Sequence, residues 1–245
     1  SCTFDNEEDL LKDFECDTIL KNLAPALSIA DIACGSGRFL HTLTQILIEA
    51  PHFEDYRLHG FDMDETALKI GKLLHGDNIH WHLGDVLLGP DTNYEDKFDF
   101  ILGNPPYIES REIDDTYWEQ LKQKFQTPYR KFDISVVFIE QTIHFLKNGG
   151  WAGLITSNKW LVADYGMKIR ELLLKETRIH SIFDVSHLDI FHTADTYPIL
   201  IFFQKRKYTE KRTSTFQTQL ITPTSLSHLL EDTFTDESVS LPQDF

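Results

Sequence analysis

The chain has 245 residues, with 23 lysines and arginines against 39 aspartates and glutamates, a formal net charge of −16. That length supports one well-cored domain, or one domain with an appended piece, and the acidity argues against an extensive phosphate-binding surface on this chain alone. Cys2, Cys16 and Cys34 have no paired spacing that suggests a disulfide framework or a zinc site, which points to a reducing, cytoplasmic compartment. No apolar stretch has the length of a bilayer span, and the opening SCTFDNEEDL has no basic-then-apolar signal pattern.

In chain order, Leu10, Leu11, Phe14, Ile19, Leu20 and Leu23 line one face of an N-terminal helical segment. Apolar β-rich runs then alternate with amphipathic ones. Strands are predicted at 27–34, 56–63, 78–85, 98–104, 150–157, 178–185 and 197–204, and helices at 38–50, 65–75, 133–147 and 165–176. Such alternation predicts an α/β fold with a parallel sheet covered on both faces. The last two strands are joined by about a dozen residues without a helix, which favours an antiparallel hairpin at the sheet edge. After Lys205 the composition turns to Lys, Thr, Ser and Gln and reads as a linker, with a last helical trace at SLSHLLED. The expected organisation is a helical segment over 1–27, a core domain over 28–205 and a linker with the start of a further region over 206–245.

The stretch SIADIACGSGRFLHTL places Gly35 and Gly37 between the first strand and the first helix, where a tight turn brings backbone N–H groups and a helix N-terminus close to a ligand. Leu40 stands where a dinucleotide fingerprint has its third glycine, which weakens a nicotinamide reading. Asp62 ends the second strand, where a carboxylate can accept from both hydroxyls of a ribose, and Asp85 ends the third, where one can accept from an adenine amino group. Each aspartate alone reads equally as a helix cap or turn residue; in register with the glycine turn they mark one rim of the sheet. The fourth strand breaks off into Asn104, Pro105, Pro106 and Tyr107, and the two prolines force a rigid, extended exit.

Together DIACGSGRFL, GFDMDETAL, GDVL and NPPY resemble the amino-methyltransferases that use S-adenosylmethionine. Similarity is greatest to adenine-specific DNA methyltransferases of the gamma arrangement, and KFDISVVFIEQTIHFLKNGGWAGLITSNKWL and DIFHTADTYPILIFF resemble segments of restriction-modification enzymes that fuse methylation and cleavage in one polypeptide. The resemblance covers about residues 28–205 and implies a Rossmann-like class I methyltransferase fold with a seven-stranded, mostly parallel sheet. It also implies that Asp31 and Gly35 surround the methionine portion of the cofactor, with Ala33 and Gly37 in the same turn. Asp62 would hold the ribose, Met63 would pack on the adenine, and Asp85 with Val86 would read its edge. The substrate it implies is double-stranded DNA with a flipped-out adenine.

The prolines then acquire a chemical purpose. An exocyclic aromatic amine is a poor nucleophile, because its lone pair is delocalised into the ring. The Asn104 side-chain oxygen and the Pro105 carbonyl can hold both amino hydrogens and bias the lone pair towards a methyl on a positive sulfonium. By resemblance, Tyr107 stacks on the flipped base and Phe191 is its opposite stacking partner, although Phe191 reads equally as a core aromatic. No metal is needed. NPPY also occurs in enzymes that methylate a glutamine amide in proteins or a guanine amino group in RNA, so the motif names the reaction better than the substrate; a cofactor-binding scaffold without turnover is the non-enzyme alternative. The segment 108–131 interleaves Tyr117, Trp118, Phe125 and Tyr129 with basic residues, suited either to nucleic-acid contact or to a solvated loop with a helix in it. His80 and His82 share a strand face and are expected to be structural, and Cys34 is expected to be a small packing residue.

The family's Thr-Pro-type motif is not found before Asp31, and the chain stops around where a target-recognition domain begins. The expectation is a methyltransferase domain of a longer protein, with recognition and any nuclease elsewhere. Accordingly, the chain alone is predicted to bind duplex DNA weakly and without sequence preference at physiological salt. Gel-shift titrations at two salt concentrations check this; a tight shift would put recognition inside residues 1–245, in the 108–131 segment or the tail after Lys205.

Overall fold

Alternation along the first strand sends Leu27 and Ile29 to one side of a sheet and Ala30 to the other, and both sides are covered. The computed structural model describes residues 27–49, 56–89, 94–188, 197–207, 217–223 and 239–242. In chain order the elements are β1 (Leu27–Asp31), α1 (Arg38–Glu49), β2 (Tyr56–Asp62), α2 (Glu65–His75), β3 (Ile79–Leu83), β4 (Phe98–Gly103), α3 (Asp115–Lys124), α4 (Ser135–Phe145), β5 (Leu146–Ser157), α5 (Met167–Glu176), β6 (Thr177–Asp184), β7 (Pro198–Lys205), β8 (Gln217–Ile221) and β9 (Val239–Pro242). The expected N-terminal helix over 10–23 and the helical trace SLSHLLED lie outside the described residues.

The sheet runs β3-β2-β1-β4-β5-β7-β6-β8-β9. β3, β2, β1, β4 and β5 are mutually parallel, while β7 lies between β5 and β6, antiparallel to both. All seven expected strands are present. Two more, β8 and β9, extend the sheet to nine strands among the described residues, so the β6–β7 pair is not its edge. The sequence reading passed over β8 because Gln-Thr-Gln alternates with few apolar residues. Its inward Thr218 is buried and donates its hydroxyl to the Ile179 carbonyl at 2.8 Å, so a polar side chain fills a core position at no cost in hydrogen bonds.

One face of the sheet packs against Leu40, Leu43 and Leu47 of α1 and Leu68 of α2, with Leu58 and Ile79 from the strands. The other packs against α4 and α5, with Phe98, Ile101, Ile201 and Phe203 from the strands. β7 is buried on both faces: Ile199, Ile201 and Phe203 join the α4–α5 side, and Leu200 and Phe202 a smaller cluster with Val185. No helix among the described residues is long and apolar enough to cross a membrane.

After β1 the chain adds β2 and β3 on one side, then returns to add β4 on the other. This reversal leaves a crevice beyond the C-terminal ends of β1 and β4, because the connections leave those ends on opposite faces. Among the strands that end earlier than the sequence reading, β1 stops at Asp31, β3 at Leu83 and β4 at Gly103. At two of these ends an aspartate folds its side chain back onto the turn: Asp31 accepts from the Ala33 N–H at 3.0 Å and Asp85 from the Leu87 N–H at 2.8 Å.

All of α4 is buried except His144. Within it, the carboxylate of Glu140 accepts from the backbone N–H groups of Gln126 at 3.1 Å and Thr127 at 2.9 Å, pinning the chain between α3 and α4. Glu140→Ala leaves both donors without their acceptor and is expected to lower stability by about 2–4 kcal/mol, read from the midpoint of urea unfolding.

Candidate active site at the strand ends

The turn after β1 is built around two carboxylates. Asp31 is buried, and burial is the main reason its pKa is pushed up from an ordinary 3.8 to about 7; the Ala33 N–H opposes that rise and the nearby Asp62 carboxylate adds to it. Asp62, at the end of β2, accepts from the Gly35 N–H through Oδ2 at 2.7 Å and from the Asp64 N–H through Oδ1 at 2.9 Å. The two aspartates therefore hold opposite sides of one turn.

Gly35 has φ of +53° and Gly37 of +78°, the left-handed region that glycine enters without strain. Open space surrounds the missing Gly35 side chain, whereas a Cβ on Gly37 would collide with Trp81 Cη2. The Trp81 indole, from β3, also occupies the space that side chains on Gly60 and Gly71 would need, at 3.3 Å and 2.6 Å. Three glycines on three elements thus admit one indole beneath the turn. The sequence reading missed Trp81, although the Gly37-Gly60-Gly71 set is the signal that a bulky group must fit among them. Cys34 is buried against Gly60, and burial, with Asp31 and Asp62 nearby, pushes its thiol pKa up, so it remains a packing thiol.

Met63 projects from the end of β2 with 70% of its surface exposed, an uncovered apolar side chain beside Asp62. Beyond β3, Val86 is buried and Asp85 uses both carboxylate oxygens: Oδ1 accepts from the Leu87 N–H, and Oδ2 accepts from the Tyr117 hydroxyl at 2.9 Å. Tyr117 comes from α3, inside the 108–131 segment. The aromatic residues of that segment point largely inward: Trp118 stacks on Phe132 with centroids 4.1 Å apart, and Phe125 is buried. Three of its five cations meet acids, Arg111 with Glu109, Lys122 with Glu119 and Arg130 with Asp164. His80 and His82 are joined by His59 of β2, whose Nδ1 lies 3.0 Å from His82 Nε2. Burial first, and then the neighbouring histidines, lowers the pKa of His59 to about 4.

At the end of β4, Gly103 lies against Asp31. A Cβ there would sit 2.6 Å from Asp31 Oδ1, so a glycine is required for the two strand ends to approach this closely. Asn104, Pro105, Pro106 and Tyr107 follow directly. Pro105 is buried, and the Tyr107 hydroxyl donates to Asn104 Oδ1 at 2.6 Å, holding the amide oxygen in place. Burial, with Asp133 nearby, pushes the phenol pKa up and keeps it a donor. Asp31, Ala33, Gly35, Gly37, Asp62, Met63, Asp85, Val86 and the Asn104–Tyr107 segment thus all lie at the C-terminal ends of four neighbouring strands or in the turns that follow. Phe191, the expected second stacking partner, lies outside the described residues.

The type II methyltransferase M.BstVI of Geobacillus stearothermophilus is 26% identical over 243 residues, covering 87% of this chain and 43% of its own length. The type II restriction enzyme and methyltransferase RM.Eco57I of Escherichia coli is 31% identical over 120 residues, covering 48% of this chain and 12% of its own length. The chain thus spans less than half the length of either relative. A putative class I S-adenosylmethionine-dependent methyltransferase from Listeria monocytogenes shares the fold, with a TM-score of 0.70 and 18% identity over 93% of this chain and 67% of its own. The profile of the Eco57I restriction-modification methylases matches residues 42–191, which include Asp62, Asp85 and the Asn104–Tyr107 segment, and the chain belongs to that family.

Proposed function

We propose that this chain is the methyl-transfer part of a restriction-modification enzyme that moves a methyl group from S-adenosylmethionine to the 6-amino group of adenine in DNA. The observation that carries this reading is Asn104 Oδ1, held by the Tyr107 hydroxyl at a proline-stiffened strand end, directly after the Gly103 that packs on Asp31 of the glycine turn. The cofactor fits the strand ends on independent grounds. Gly35 has open space above a left-handed turn, Met63 offers an exposed apolar face, and each oxygen of Asp62 retains a lone pair beyond the one it gives to the backbone. Bound there, the cofactor supplies an electrophilic methyl on a positively charged sulfonium.

The protein's own groups do the rest. Asp62 accepts from the ribose hydroxyls, Asp85 with the Val86 backbone reads the adenine edge, and Asp31 places negative charge near the methionine portion. Asn104 Oδ1 and the Pro105 carbonyl accept the two hydrogens of the target amine and turn its lone pair towards the methyl. Tyr107 contributes twice: its ring stacks on the flipped base, and its hydroxyl orients Asn104. In this reading residues 28–205 carry the cofactor and amine sites and residues 1–27 precede them; past residue 205, β8 and β9 continue the same sheet, and target recognition and any nuclease are sought in the full-length protein.

Mass analysis of nucleosides from DNA of cells expressing the full-length protein is expected to reveal N6-methyladenine, and its absence with an active cofactor site would overturn the adenine assignment. Asn104→Ala is expected to lower turnover by about 10²–10³ with cofactor binding retained. Tyr107→Phe keeps the stacking ring and falls between wild type and Tyr107→Ala.

Asp31 gives a pH dependence with a definite sign. Its carboxyl is harder to ionise in the folded chain, with a pKa of about 7 against 3.8, so its contribution favours folding most fully below pH 3.8 and is lost as pH rises through about 7. A positively charged ligand favours the ionised form. Cofactor affinity is therefore expected to rise as pH passes through about 7, with proton release measurable by calorimetry in buffers of different ionisation enthalpy. Asp31→Asn is expected to abolish the release.

A further inference from the structure

Helix α3 is fastened to the turn after β3 at two points. Near its start the Tyr117 hydroxyl donates to Asp85 Oδ2 at 2.9 Å, and at its end Lys124 Nζ donates to the Leu87 carbonyl at 2.5 Å. Leu121, fully buried, lies between them on the same helical face. The helix is also placed by contacts elsewhere: Asp114 caps it through the N–H groups of Thr116 at 2.9 Å and Tyr117 at 3.2 Å, and Trp118 stacks on Phe132. The Tyr117 hydroxyl therefore has its position set independently of Asp85. Since Leu87 N–H occupies Oδ1 and Tyr117 occupies Oδ2, the Asp85 carboxylate is held at both oxygens and its plane cannot rotate.

We propose that Tyr117 is a positioning residue for cofactor recognition: its hydroxyl fixes the Asp85 carboxylate in the orientation that selects a 6-amino purine over a 6-oxo purine. The proposal rests on the reading of these strand ends as a cofactor site. A carboxylate held by two donors still has lone pairs free, and a fixed one meets an exocyclic amino group without first losing rotational freedom. A 6-oxo purine turns a carbonyl lone pair towards the same carboxylate and is repelled. A carboxylate free to rotate swings away from that repulsion, so the discrimination depends on its being held. Burial and the adjacent Asp85 charge both push the Tyr117 phenol pKa up, so the hydroxyl stays protonated and donates throughout the physiological range.

The test compares S-adenosylhomocysteine with S-inosylhomocysteine, which differs by the 6-oxo group, using calorimetry on the wild-type chain, Tyr117→Phe and Lys124→Ala. Wild type is expected to prefer the adenosyl ligand by roughly 10-fold or more. Tyr117→Phe, which keeps the ring and its packing, is expected to reduce that preference at least about threefold, mainly by binding the inosyl ligand relatively better. Lys124→Ala frees the end of the helix and also removes a positive charge that offsets part of the Asp85 field, so it is expected to lower both affinities and to leave the preference intact or raised. An unchanged or increased preference in Tyr117→Phe overturns the proposal while leaving the cofactor site standing. So does an equal loss of preference in Lys124→Ala, since the hydroxyl then has no role beyond bracing the helix. A wild-type chain that binds neither ligand overturns the cofactor site and the proposal together.

Discussion

The close approach of Asp31 and Gly103 sets the geometry on which the site depends. Two parallel strands at the reversal point of the sheet end side by side, and the carboxylate of one occupies the space where the other lacks a side chain. Their separation determines how far the glycine turn stands from Asn104, the next residue along. Bringing a carboxylate so close to a strand end costs desolvation, visible in the raised pKa of Asp31, and the Ala33 N–H offsets part of that cost. Asp62 closes the arrangement from the other side by holding Gly35, so hydrogen bonds join the ends of β1 and β2 while β4 packs against them at Gly103.

Beneath that rim the packing is as specific as the hydrogen bonding. In a dinucleotide fold the third glycine of the fingerprint lets helix and strand approach each other. Leu40 takes that position here and is buried in the core, while Gly60 and Gly71 open a slot for the Trp81 indole. The wedge is large, rigid and tied by its indole N–H to the Gly76 carbonyl at 3.2 Å. It supports the glycine turn from below and leaves the space over Gly35 clear. A flexible aliphatic side chain of smaller volume would let the turn collapse towards the sheet, since cores lose definition when a void replaces a packed ring.

The connection from β4 to α4 joins the two halves of the site. It leaves through the stiff Asn104–Tyr107 segment, passes through α3, which returns to the Asp85 turn, and is drawn into the core where Glu140 accepts from Gln126 and Thr127. A stretch with the composition of a surface loop is thus anchored at both of the proposed binding regions. Packing accounts for the inward-facing Tyr117, Trp118 and Phe125, and the acids around Arg111, Lys122 and Arg130 offset the positive field of those three cations.

Local pattern carried a large part of this protein. The alternating strands and helices, the glycine turn, the aspartates at successive strand ends and the proline-stiffened exit of β4 were all legible, because each depends on neighbours within a few residues: φ freedom at glycine, φ restriction at proline, and period-2 burial in a doubly covered sheet. Tertiary structure decided what depends on residues far apart in the chain. The Gly103–Asp31 approach spans β1 and β4, the Trp81 slot is made by glycines from three elements, and the Tyr117–Asp85 bond joins residues 32 positions apart. The two outer strands were illegible for a related reason: β8 is stabilised by pairing with β6 and by the Thr218 bond to Ile179, so its polar sequence becomes a strand only once the sheet is there to receive it.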